Sequence, residues 1–281
     1  MENGSQELIK IGKNSNYYSS LNDEYLQTEL LQNGNEVLVN NTKNGFEDLI
    51  NENIDVLITP LTQLEVPFKS QIVLNEKEAL FSLAGLSKRS NSAVGLVLPV
   101  GMEAKPKVPT NIPIYCSHRL LGLQYMQLIT DSEIRTMNSG IMEFFNNPSS
   151  ESVASLLPVE ELPLKIEASR VFSFRPDEIT PIPGQGVQAY LCLSQNKKIR
   201  VSLAEIHHEA TMNCTNVERE LSMNANTKGI NEVLAHCWKD KIGTYQISAF
   251  SEFQNDKIKQ VKFAQSTFIK MSETVLQKLL E

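Results

Sequence analysis

The strongest constraint on the fold is the apolar run Ile54–Ile58 (IDVLI) and what precedes it. A run of that kind suits a strand buried on both faces, as in a parallel sheet. Upstream, the pattern predicts a strand at Leu8–Ile11, a helix near Leu21–Gln32, a strand at Glu36–Val39 and a helix at Phe46–Asn51. Strand and helix taken in turn are the grammar of an open α/β sheet. AVGLVLPV at Ala93–Val100 reads as a further strand, and the Pro- and Lys-rich stretch 101–111 as a linker or surface loop.

The alternation then restarts. Ile114–Cys116 and Val171–Phe174 read as strands, and Leu120–Leu128 and Ser149–Leu157 as helices. RPDEITPIPGQG, residues 175–186, holds three prolines and two glycines and suits a hinge crossing between units. Val187–Leu193 and Ile199–Ile206 resume as strands or adjoining elements. Beyond them the pattern changes. A helix is expected at Asn213–Ser222, two alternating strands at Ile242–Glu252 and Lys257–Phe268, and a helix at Ser272–Leu280 with Ser272 as its cap. No internal repeat is visible. The fold expected is α/β, with two lobes around a cleft and a small α+β unit at the C-terminal end. Residues 1–94 and 187–204 would form the first lobe, 95–186 the second, and 205–281 the third unit.

Length and charge fit this division. The 281 residues suffice for two or three compact units, and a net charge of −7 argues against nucleic acid as a partner. No segment approaches the roughly 20 apolar residues of a membrane span. Cys116, Cys192, Cys214 and Cys237 are scattered with no CxxC pair, so a reduced, cytoplasmic chain without a zinc site is the expectation. Only seven of the 26 basic residues are Arg, few for a site that must grip many carboxylates.

Several stretches, in order, resemble the porphobilinogen deaminase (hydroxymethylbilane synthase) family. They are IKIGKNS near the start, GFEDLINENIDVLI, FRPDEITPIPGQG, HHEAT at 207–211 and VEREL at 217–221. The resemblance implies two lobes like those of periplasmic binding proteins, and a third domain that presents a cysteine carrying a covalent dipyrromethane cofactor. On that cysteine four porphobilinogens are joined with loss of ammonia. It further implies a monomer acting in tetrapyrrole biosynthesis. Cys237, in VLAHCWKDKIGTYQI, stands at the cofactor position, on a rebuilt loop. Lys13, Ser15, Ser117, Arg119 and Gln185 match positions that hold cofactor or substrate carboxylates.

This chain departs from the family where the chemistry is most demanding. Loss of ammonia leaves a cationic intermediate that a carboxylate must stabilise. In TPLTQL, Gln63 stands where the family has that Asp, and only Glu65, two residues on, offers a substitute. Leu120, Ser139 and Phe145 stand where arginines are expected. Lys88 and Arg89 read as solvated surface charges, His207 and His208 as capping or bridging residues, and Gly184 and Gly186 as hinge glycines with Gln185 facing the cleft. Two readings follow: an impaired deaminase acting on porphobilinogen, or a non-catalytic homologue binding a small anionic ligand or a protein partner in the cleft.

Overall fold

The computed structural model describes residues 8–14, 23–64, 73–75, 78–104, 112–116, 118–129, 133–136, 153–162, 166–253 and 257–281. The first sheet is built from β1 (Leu8–Asn14), β2 (Glu36–Thr42), β3 (Val56–Pro60), β6 (Phe81–Leu86) and β12 (Gln188–Leu193), in the order β2-β1-β3-β12-β6. The short β4 (Val73–Asn75) and β5 (Glu78–Ala79) form a separate ribbon. β1 runs parallel to β2 and β3, and β12 antiparallel to β3 and β6. Helices α1 (Asp23–Gln32) and α2 (Gly45–Ile50) connect the parallel strands. All five residues of β3 are buried, as its central place requires, whereas the edge strand β2 alternates between half-buried and exposed residues.

The second sheet repeats this plan. It contains β7 (Val94–Val97), β8 (Ile114–Cys116), β9 (Ile134–Thr136), β10 (Ala154–Pro158) and β11 (Val171–Phe174), ordered β9-β8-β10-β7-β11. β8 is parallel to β9 and β10, β7 is antiparallel to β10 and β11, and α3 (Arg119–Leu128) joins β8 to β9. Each sheet thus has its antiparallel strand, β12 or β7, reached by a crossing from the other lobe. The repeat is architectural: LITP at the end of β3 and SLLP at the end of β10 occupy equivalent places, each followed by a 3-10 turn, Leu61–Gln63 or Val159–Glu161.

α4 (Lys197–Glu205) packs on the core of the first lobe, and the third unit then runs α5 (Glu209–Thr227), β13 (Val233–Lys239), β14 (Tyr245–Glu252), β15 (Ile258–Gln265) and α6 (Met271–Leu280). Its strands β13 and β14 are buried on both faces. Ala235, Cys237, Ile247 and Ala249 pack under α5 and α6, while Leu234 and Phe250 enter the core of the second lobe beside Leu96, Tyr125 and Phe174.

Two expectations fail, and one left open between a strand and an adjoining element is decided, each for a physical reason. Residues 154–158 form a buried strand rather than the end of a helix, because the apolar run is central in its sheet. Residues 197–205 are helical: Ile199 and Leu203, four apart, are buried, Val201 is 61% exposed, and Asn196 caps the first turn through Oδ1, which accepts from Ile199 N. Ser272 is not a cap. It is buried within the helix, and its hydroxyl donates to Glu220 at 2.6 Å.

Candidate functional site

In sheets of this topology, ligands meet the carboxyl ends of the parallel strands, where the connections diverge. In the first lobe that edge carries Lys13, paired in register with Ile58, and the turn Leu61–Gln63 after β3. In the second it carries the start of α3 and the turn Val159–Glu161 after β10. The two turns meet. Thr62 Oγ1 donates to Glu160 Oε1 at 3.3 Å, and the backbone N–H of Gly186, on the crossing into β12, donates to Glu160 Oε2 at 2.7 Å. Burial pushes the Glu160 carboxyl up to about 7, with the neighbouring Glu161 charge adding to the rise and the Gly186 hydrogen bond opposing it. Burial likewise lifts Glu161 to about 7, against the pull of nearby His118. Nothing in the sequence singles out either glutamate.

The anticipated site residues are distributed unevenly about this edge. Lys13 and the exposed Gln63 stand on it. Arg119 is turned to the third unit, where it forms a two-pronged ion pair with Glu252 of β14, one N–O contact being 2.7 Å. His118 beside it pairs with Glu232 at 2.7 Å. Gln185 does not face a cleft: it is 1% exposed, and its amide donates to the carbonyls of Ser92 and Ala93 at 2.9 and 2.8 Å. A side chain bound that fully holds the two crossings together. Ser15, Glu65 and Ser117 lie outside the described residues, as do Ser139 and Phe145.

Arg89 is the largest departure from expectation. Far from being a solvated surface charge, its guanidinium lies inside the molecule and grips Glu218 of α5 with both ends, at 2.8 and 2.9 Å. Burial opposes its charge, but Glu218 outweighs that and holds the guanidinium above its ordinary range. Arg89 Nη1 also donates to His236 Nδ1 at 2.7 Å and to the Cys237 carbonyl at 3.1 Å. His236 is held well below the usual histidine range, first by burial and then by Arg89, so it meets the guanidinium as a neutral acceptor. Trp238 stacks on its ring.

Cys237 sits in the middle of β13, not on a loop, and is 1% exposed among the residues that pack α5 against the sheet. A hydrogen bond with Cys214 and burial both push its thiol up, away from the thiolate a nucleophile needs. A dipyrromethane attached there would have to displace the core of the third unit, so these residues do not fit that cofactor. Among the described residues no cluster of three or more His, Cys, Asp or Glu is placed to hold a metal, and no helix is long and apolar enough to cross a membrane.

His207 and His208 act as joints. His208 caps α5 by accepting from Thr211 N, and His207 Nδ1 accepts from Leu86 N at 3.0 Å. Gly184 and Gly186 adopt φ of +81° and +78°, the left-handed region that glycine enters freely.

No family model matches the chain, and no curated protein matches it. Among solved structures, a mutant of ArgBP from T. maritima is 9% identical over 79% of this chain and 92% of its own, with a TM-score of 0.35. The GluR0 ligand-binding core with L-glutamate is 10% identical over 80% and 98%, TM-score 0.38. YhfZ from Shigella flexneri is 11% identical over 79% and 92%, TM-score 0.41. These are not porphobilinogen deaminases, and membership of that family, with its place in tetrapyrrole biosynthesis, is corrected accordingly. The motifs that carried the resemblance have structural reasons of their own: Gly-Gln-Gly supplies two left-handed turns around a clamping amide, and HHEAT caps a helix against the first lobe. The fold is two α/β lobes with mixed sheets, bearing a small α+β unit.

Proposed function

We propose that this chain is a non-catalytic binding protein that receives a small anionic molecule at the facing strand ends of its two lobes. The observation that carries the reading is the meeting of the Leu61–Gln63 and Val159–Glu161 turns through Thr62 and Glu160. It brings groups from both lobes to one place, at the end of the sheet where α/β folds take ligands. Lys13 supplies a positive charge at that edge. About a pH unit below 7, Glu160 and Glu161 repel an anion little, because burial lifts both carboxyls to about 7 and leaves them mostly protonated there, and a protonated carboxyl donates a hydrogen bond to a carboxylate. Binding without turnover is supported by the side chains present: the exposed amide of Gln63 carries no charge to stabilise a cation, and Cys237 is sealed in the core.

A second reading has its own support. Glu161 has no ion-pair partner among the described residues, and an ionised Glu161 would favour an ammonium group, as on an amino acid. A thermal-shift series with acetate, succinate, L-glutamate and L-arginine, at about pH 6 for the first and about pH 8 for the second, tests both. The first reading predicts stabilisation by succinate and L-glutamate, lost in Lys13→Gln. Stabilisation by L-arginine alone, untouched by Lys13→Gln, would favour the second. No shift with any of the four would remove both.

A further inference from the structure

The two lobes are joined by two crossings, Ser87–Ser92 outward and Ile182–Val187 on the return. In a hinged pair these are the segments that flex. Here they are stitched to each other. Ser90 N and Oγ donate to the Gly186 carbonyl at 2.7 and 3.0 Å, Ser87 N donates to the Gln188 carbonyl at 2.9 Å, and Gln188 N donates to Ser87 Oγ at 3.0 Å. The Gln185 amide adds its pair of bonds to Ser92 and Ala93.

One carboxylate from the third unit then takes hold of both crossings. Glu218, wholly buried, accepts from Arg89 Nη1 and Nη2 on the outward crossing, from Gly184 N on the return at 2.8 Å, and from Cys237 N on β13 at 2.6 Å. Four N–H donors fill the lone-pair sites of a carboxylate. The third unit also reaches past the hinge into each lobe. Leu234 and Phe250 lie in the core of the second lobe, and Thr180 Oγ1 and Ser248 Oγ share a hydrogen bond of 2.7 Å. On the other side, Met212 packs on the core of the first lobe, while His207 Nδ1 and His208 N engage the backbone of Leu86.

We propose that the third unit is a brace, pinned by Glu218, that fixes the angle between the lobes, so that ligand enters a preset opening instead of closing a hinge about itself. The inference concerns the free protein and stands whether or not an anion binds. Spin labels at Leu31→Cys on α1 and Leu128→Cys on α3, both exposed positions, report the separation of the lobes while the four native cysteines stay buried. The brace predicts one narrow distance distribution in the otherwise native chain, and a broadened or shifted one in Glu218→Gln, whose amide group turns N–H donors toward N–H donors. Amide exchange supplies the second readout on the native chain: Gly184 and Gly186 exchange with the slowest core amides, and at least about tenfold faster in Glu218→Gln. A broad distribution in the native chain, fast exchange at both glycines, or a folded Glu218→Gln indistinguishable from native would each overturn the proposal.

Discussion

At the scale of single residues, function and structure here separate according to burial. Glu160 is the residue whose ionisation matters most. Its carboxyl titrates near 7 in the folded chain but at its ordinary 4.5 when unfolded, so the unfolded state releases its proton first. Stability is therefore highest below about pH 4.5 as far as this group is concerned, falls as pH rises through the interval to 7, and is level above it. A shift of this size corresponds to about 3 kcal/mol at most. Glu160→Gln removes the titration while keeping an acceptor for Gly186 N. Urea unfolding at about pH 5.5 and 8 is expected to show less pH dependence in the variant than in the native chain, and a gain for the variant at the higher pH. An unchanged pH dependence would show that the Glu160 carboxyl is not withdrawn from water as described. Arg89 illustrates what a sequence withholds. Set in the polar string SKRS, it reads as surface, yet Glu218 betrays the pairing: it falls on the apolar stripe of α5 with Cys214, Val217, Leu221 and Ala225. A carboxylate on a buried stripe requires a buried donor.

At the scale of elements, strands that are unbroken apolar runs are legible in the sequence, and disguised ones are not. Ile54–Ile58 announces β3, and Ile114–Cys116 announces β8. The helix over 197–205 is disguised because Ile199, Val201 and Leu203 alternate as a strand would; only the burial of Ile199 and Leu203 on one face reveals the helical period. β13 reads as a loop because the family resemblance puts a cofactor loop there, but its alternation places Ala235 and Cys237 under the helices and Leu234 in the second lobe. The Pro- and Gly-rich segment reads as a crossing between units, and its glycines are testable. An alanine Cβ at Gly186 would lie 3.0 Å from the Asn91 carbonyl oxygen, with φ at +78°, while Gly34, at φ +82°, has nothing within 4 Å. Gly186→Ala should therefore cost about 2–3 kcal/mol and Gly34→Ala about 1 kcal/mol, by denaturant titration. Equal costs would mean that the crossings are not packed against each other.

At the scale of the whole molecule, the two-lobed plan with a third unit is readable from the restart of α/β alternation and the change of pattern near residue 205. The duplication of the lobes is not, because it lives in strand order and in the paired Pro-ended strands rather than in residue identity. Nor is the position of the proposed site, since Glu160 and Glu161 gain their character only when the two turns fold against each other. The central claim is that protonated carboxyls and Lys13 together receive an anion between the lobes. Isothermal titration of the native chain with succinate and L-glutamate, at about pH 6 and again at about pH 8, tests it most directly. Binding at the lower pH that weakens at least about tenfold at the higher, as deprotonation of a coupled group requires, is the predicted result. Affinity that is constant or rises between those pH values, or no heat of binding at either, would contradict it.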